Sequence, residues 1–234
     1  MDDIDKRLAK AVKHFWRKRA GQSKSAGGKS GRDAVVGGAQ MDGFTDLVRA
    51  LLVESGLPDA VIHKRSQTLP GYFRASKDWD LVVVVDGTLL ATVEFKSQVG
   101  SFGNNYNNRS EEAIGNATDF YTAYREGAFR ESSRPWLGWL MLLEDAPGSR
   151  TPIAVKEPFF PVFADFRGAS YAKRYELLCK RLVRERLYDA ACLILSERKA
   201  GLRGGYSEPS AEIGFRNFVA SLMAKAVSYA KTRR

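Results

Sequence analysis

Apolar residues recur at helical spacing at Ile4, Leu8, Val12, Phe15 and Trp16, while Lys6, Arg7, Lys10, Lys13, Arg17 and Lys18 fill the positions between them. That stripe predicts an amphipathic helix over 4–19 with a cationic outer face. A second stripe, Phe44, Leu47, Val48, Leu51 and Leu52, predicts a helix over 41–55, stopped by Gly56 and Pro58. The period then shortens. Val61-Ile62-His63 reads as a short strand and Leu69–Arg74 as a turn-rich excursion. Two apolar runs give strands over about 79–85 and 89–97, joined through Asp86-Gly87, a hairpin signal. A helix follows over about 110–125, ending near Gly127, and then a buried strand over 136–143 entered through Arg134-Pro135. Residues 147–168, rich in Pro and Phe, carry no period and read as irregular. The rest reads as a helix over 171–188, a buried strand over 190–195, a Gly-rich basic loop over 198–207 and a final helix from Pro209 to about Ala230. Helices alternating with strands around an antiparallel hairpin imply an α/β fold with a mixed central sheet flanked by helices.

A basic Gly/Lys/Ser stretch, 21–32, separates the first two helices and reads as a flexible linker. Its Gly28-Lys29-Ser30 is not a phosphate-binding loop, because position 23 is Ser and no apolar strand precedes it. The expected organisation is therefore a basic N-terminal helix and linker over 1–32 and a single domain over 33–234. That domain has a core at about 41–145 and a basic helical part at 169–234.

A chain of 234 residues can bury a full core. No apolar run reaches the ~18 residues that suggest a membrane span, and the acidic start, Met1-Asp2-Asp3-Ile4-Asp5, does not resemble a secretory signal. Cys179 and Cys192 lie in apolar surroundings without metal-ligand spacing and read as reduced core residues of a cytoplasmic protein. The net charge of +10 is unevenly spread. Residues 1–32 hold ten Lys/Arg against three acids, 33–172 thirteen against eighteen, and 173–234 fourteen against six. An acidic centre between basic ends suits a polyanion held over a carboxylate site.

The chemistry centres on the hairpin. Asp80 heads the first apolar run, and Glu94-Phe95-Lys96 closes the second. Two carboxylates brought together here can hold Mg²⁺, with the Phe95 carbonyl as a further ligand. Lys96 would orient or deprotonate the attacking water or stabilise developing charge. Register decides whether this works. A two-residue turn at Asp86-Gly87 places Asp80 opposite Val93, so that Asp80 and Glu94 point to opposite faces. A three-residue loop, or an equivalent bulge nearer Asp80, sets Asp80 opposite Glu94 with Cβ atoms about 5 Å apart. That longer loop, or the equivalent bulge, is the expectation. Asp78 competes for the place of the first acid. Solvent-facing strand-end charges, with Lys96 as an ion-pair partner, fit the same triplet. His14 and His63 are isolated, and no Ser or Cys has the neighbours for covalent catalysis.

Beyond the site runs Phe102-Gly103-Asn104-Asn105-Tyr106-Asn107-Asn108-Arg109-Ser110-Glu111-Glu112. Together with Trp79-Asp80 and Glu94-Phe95-Lys96-Ser97-Gln98, it resembles the XhoI family of type II restriction endonucleases over most of the chain. The resemblance implies a PD-(D/E)XK nuclease core and Mg²⁺-dependent double-strand cleavage of DNA, at CTCGAG, leaving 5′-phosphates. It also implies a homodimer matched to the palindrome, and a cognate DNA methyltransferase acting on the same site without necessarily binding the nuclease. Trp79 stands where many such nucleases have Pro.

Four Asn and an Arg within 104–109 make a poor helix and a poor strand, but they offer paired donors and acceptors for base edges. Asn104, Asn105, Asn107, Asn108 and Arg109 are the leading DNA-contact candidates. The same loop equally suits a cap for the following helix, with Asn108 or Ser110 at its start. Arg203 and Tyr206 in the Gly-rich loop, Arg74 beside Tyr72 and Phe73, and Lys24 and Lys29 in the linker are further candidates for groove or phosphate contact. Glu54, Glu111 and Glu112 are candidates to support the metal ligands. The C-terminal helix and Phe159–Phe166 are candidate dimer surfaces. Two rivals remain: another nuclease with the same core, cutting by DNA shape, and a DNA-binding protein without catalysis.

Overall fold

The computed structural model describes residues 3–25 and 39–232, without the side chains of 22–25 and 65–66. The chain forms α1 (Ile4–Ser25), α2 (Asp42–Glu54), β1 (Ile62–Pro70), β2 (Ser76–Val85), β3 (Thr88–Gln98), α3 (Phe102–Arg125), β4 (Trp136–Glu144), α4 (Pro147–Arg150), α5 (Tyr171–Arg184), β5 (Ala190–Ser196), α6 (Arg198–Gly201) and α7 (Phe215–Thr232). The five strands lie in the order β1-β2-β3-β4-β5. β1, β2 and β3 pair antiparallel, and β3, β4 and β5 parallel. This is a mixed sheet, antiparallel on one side of β3 and parallel on the other.

Each face of the sheet is closed by its own apolar layer. Leu81, Val83, Val93, Phe95 and Ile194 pack against α1, α2 and α7. Val82, Trp139, Met141 and Leu193 pack against α3 and α5. The α1 stripe lies wholly in the first layer, where Ile4, Leu8, Val12, Phe15 and Trp16 are all buried. Trp16 donates from Nε1 to Ser196 Oγ at 2.9 Å. A Cβ at Gly201 would fall 2.0 Å from the Trp16 ring, so only glycine admits that approach. The basic N-terminal helix is thus part of the core. Among the described residues no helix is long and apolar enough to cross a membrane.

Several boundaries differ from the sequence-based expectation. α1 runs on to Ser25, with Arg19 tied to Gln40 Oε1 at 3.2 Å. Residues 26–32 of the expected linker, Lys29 among them, lie outside the described residues. β1 extends to Pro70, because pairing with β2 carries a polar stretch that shows no apolar alternation. α3 begins at Phe102, so Asn104–Arg109 is helical and not a loop. Packing overrides propensity there: buried Tyr106 lies edge-on to Tyr175, and Phe102 stacks on Tyr171. α5 stops at Arg184, just before Arg186 turns to positive φ. α7 starts at Phe215, whose amide is capped by Glu208 Oε1 at 2.6 Å, rather than at Pro209.

The hairpin that carries Asp80 and Glu94 departs most from expectation. Its turn is the two-residue one: Asp86 (φ 49) and Gly87 (φ 75) both take positive φ, as a hairpin matched to strand twist requires. Val85 pairs with Thr88 and Val84 with Leu89. The next pair is Val83 with Ala91, so Leu90 is an extra residue on β3. Of the two expected alternatives the three-residue loop is absent, and the bulge supplies the one-residue shift. Leu81 then pairs with Val93, placing Asp80 level with Glu94. A second irregularity lies at Asp80 itself. Trp79 and Val82, three apart, both join the α3-side layer, whereas Leu81 and Val83 face the other way. Alternation therefore slips at Asp80, where β2 leaves its pairing with β3.

Candidate active site

Asp80 sits in the opening between the diverging strands, and its Oδ2 accepts from the Phe95 amide at 2.7 Å. Glu94, in mid-β3, is only 2% exposed. Its Oε1 meets Lys96 Nζ at 2.5 Å, and its Oε2 lies 2.8 Å from Lys77 Nζ. Lys96 also reaches Glu112 Oε1 on α3 at 2.8 Å. Arg109, one turn earlier on α3, meets Glu112 Oε2 at 2.6 Å. Asp78 is not part of this group; it is exposed and accepts from Thr68 Oγ1 at 2.5 Å.

The electrostatics follow from crowding. Burial, and then the negative charge of Glu94, raise the Asp80 carboxyl above its ordinary pKa. Burial works to lower the Lys96 ammonium, but Glu94 and Glu112 outweigh it, so Lys96 titrates above its ordinary value. Glu112, also opposed by burial, is held low by Lys96 and Arg109.

A divalent cation fits this arrangement. Glu94 Oε2 is buried and accepts no hydrogen bond, and its ion-pair partner is Lys77, so a second cation could compete for it. Among the described residues no group of three His, Cys, Asp or Glu side chains is arranged to hold a metal. Two carboxylates cannot close a cage around a metal, and they suit a divalent ion that keeps several of its waters.

Asp80, Phe95, Lys96, Asn105 and Arg109 line one cleft together with Arg19 and Gln40. Gln98 builds its rim. Its Nε2 donates to the Gly100 and Ser101 carbonyls at 3.1 and 3.0 Å, while its Oε1 accepts from Tyr175. These bonds fix the start of α3. Asn104, Asn107 and Asn108 are exposed on its first two turns, and Asn105 donates to the Ser101 carbonyl at 3.1 Å.

Other candidates lie apart from the carboxylates. Asp119 holds the Arg74 side chain at 2.9 Å and accepts the Tyr72 and Phe73 amides at 2.8 and 2.7 Å, making a fixed tip between β1 and β2. Arg203 is exposed and Tyr206 half-buried in the loop after β5, which packs on α1 at Ala9. Lys24 falls on the last turn of α1. Glu54 pairs with Arg7 and takes no part in the site, and Glu111 is exposed.

Three contributors escape the sequence reading: Lys77, Arg19 and Gln40. Gln40 is buried and donates to Ser97 Oγ at 2.9 Å, joining α1 to β3 across the cleft. Strict alternation puts Lys77 on the wrong face, and only the slip at Asp80 turns it toward Glu94.

A family model described as restriction endonuclease XhoI matches residues 18–208. The type II restriction enzyme BstVI of Geobacillus stearothermophilus is 49% identical over 217 residues, covering 89% of this chain and 97% of its own. XhoI of Xanthomonas vasicola is 46% identical over 187 residues, covering 76% of this chain and 75% of its own. AbrI of Azospirillum brasilense is 50% identical over 165 residues, covering 68% and 74%. No solved structure matches the chain. With a match spanning hairpin, cleft and α3, the chain belongs to the XhoI family of type II restriction endonucleases, site-specific deoxyribonucleases.

Proposed function

We propose that the protein cuts both strands of DNA within CTCGAG in a Mg²⁺-dependent hydrolysis that leaves 5′-phosphates. The observation that carries this reading is the Leu90 bulge, which sets Asp80 level with Glu94, with Lys96 paired to Glu94 and both Asp80 and Lys96 lining the cleft. Asp80 and Glu94 hold the metal, with the Phe95 carbonyl beside them. When bound, Mg²⁺ supplies an acidified water and neutralises phosphate charge. Lys96 lies against Glu94 and orients the attacking water or offsets charge developing on the phosphate. The target sequence rests on kinship with the named XhoI enzyme.

The duplex lies over the first turns of α3. Asn104, Asn107 and Asn108 face outward and suit base edges, whereas Asn105 and Arg109 line the cleft. No acid and no side-chain cap occupies the first turn of α3, which favours a nearby phosphate. Arg74, Arg203, Tyr206, Lys24 and Lys29 act as outlying contacts, chiefly to the backbone. A palindrome is met by a two-fold homodimer with one site per strand. Phe159, Phe160 and Phe163, 89%, 84% and 79% exposed, offer an apolar surface that a second copy would cover. The enzyme works in the cytoplasm, alongside a methyltransferase that protects the same site.

The test is metal removal with analysis of the ends. Cleavage is expected with Mg²⁺, to vanish in EDTA and to return when Mg²⁺ is restored. Fragments are expected to religate without kinase treatment. Cleavage persisting in EDTA, or ends that need a kinase before ligation, would overturn the reading.

A further inference from the structure

The metal-binding carboxylates already carry a cation. Lys77 Nζ lies 2.8 Å from Glu94 Oε2, the buried oxygen that accepts no hydrogen bond. Its side chain is 13% exposed, its ammonium sits 4.4 Å from the Trp79 ring centre, and it donates to the Asp78 carbonyl at 2.9 Å. The contact is an ion pair without hydrogen-bond geometry at the carboxylate. Lys96, in contrast, pairs with two carboxylates, Glu94 on its own strand and Glu112 on α3.

Charge counting gives this geometry its consequence. Asp80, Glu94 and Glu112 face Lys77, Lys96 and Arg109, three carboxylates against three cations. A divalent ion would add two positive charges to a balanced, largely buried cluster. Mg²⁺ binds oxygen at about 2.0–2.1 Å, so whichever lone pair of Oε2 it takes, it lies within about 5 Å of the Lys77 ammonium. In a partly buried site that repulsion is poorly screened. Lys77 pairs with one carboxylate where Lys96 pairs with two, so Lys77 is the cation with fewer ion pairs to give up.

Resting on the metal-dependent reading above, we propose that Lys77 is a positioning residue: a resident counter-ion that keeps Glu94 in place before metal arrives and must leave Oε2 for the divalent ion to bind. Metal affinity is consequently low in the DNA-free protein. It rises when a DNA phosphate supplies negative charge or draws Lys77 away.

Lys77→Met keeps an apolar stem over Trp79 and removes the charge. The test is a titration of the DNA-free, full-length protein with Mn²⁺, following the free ion by its electron paramagnetic resonance signal. Lys77→Met is expected to bind Mn²⁺ about tenfold more tightly than the parent protein, and Lys77→Arg to match the parent. Thermal unfolding without metal identifies any variant that has lost its fold, and Lys77→Gln serves as a second charge-removing variant. Unchanged or weaker binding in both folded charge-removing variants, including binding too weak to detect in them and in the parent, would overturn the proposal. Glu94→Gln separates the two readings. If it binds Mn²⁺ as tightly as the parent, the metal is not held at Glu94 and the underlying reading fails. If it binds weakly while Lys77→Met shows no gain, only the role of Lys77 fails.

Discussion

Replacing Glu94 with Ala is expected to slow double-strand cleavage by at least about 10³-fold while leaving the folded protein able to bind duplex DNA. Glu94 is the most buried carboxylate of the site and meets both lysines, so its loss removes a proposed metal ligand and the anchor of Lys96 together. Folding stability is expected to change far less than activity. The charge that repels Asp80 disappears, while Lys96 keeps Glu112 as a partner. Single-turnover cleavage at saturating Mg²⁺, beside a gel-shift titration without metal, checks both halves. Cleavage within tenfold of the parent would remove Glu94 from the mechanism.

Lys96→Ala is expected to cost about 10²–10⁴-fold in the same single-turnover rate. What distinguishes it is metal binding. Glu94→Ala weakens Mn²⁺ binding, whereas Lys96→Ala leaves both Asp80 and Glu94 in place and preserves or strengthens it. Lys96→Arg is expected to recover little, because a planar guanidinium cannot replace a compact ammonium held between Glu94 and Glu112. Titrating Mn²⁺ against both alanine variants, alongside their rates, separates loss of a ligand from loss of a positioned charge. A Lys96→Ala protein that cuts at the parental rate would assign Lys96 to structure alone.

Much of this site was legible in the sequence because its signals are local. An apolar run, a turn pair and a second run place Asp80, Glu94 and Lys96 on one hairpin without knowledge of the rest. The need for a one-residue shift was also legible, since a simple two-residue turn would point the two carboxylates to opposite faces. Its location was not. Asp86-Gly87 makes the tight turn its residues favour, and the extra residue is Leu90, buried in the core where nothing local marks a bulge. Lys77 was hidden for a related reason: its face follows from a slip at Asp80 that only packing of Trp79 against Phe120 reveals. The Asn-rich stretch misled through propensity. Four asparagines argue against a helix, but Tyr106 packing and the Gln98 bonds from β3 impose one. Gln40 and Arg19 meet β3 only through tertiary contact, so no periodicity could have placed them at the cleft.

The chemistry and the specificity meet in one measurement: digestion of a linear duplex carrying a single CTCGAG, beside an otherwise identical duplex with that sequence scrambled, in Mg²⁺. Two discrete fragments from the first and none from the second are the expected result. Equal cutting of both duplexes, a smear, or intact DNA with folded protein bound to it would contradict the central claim.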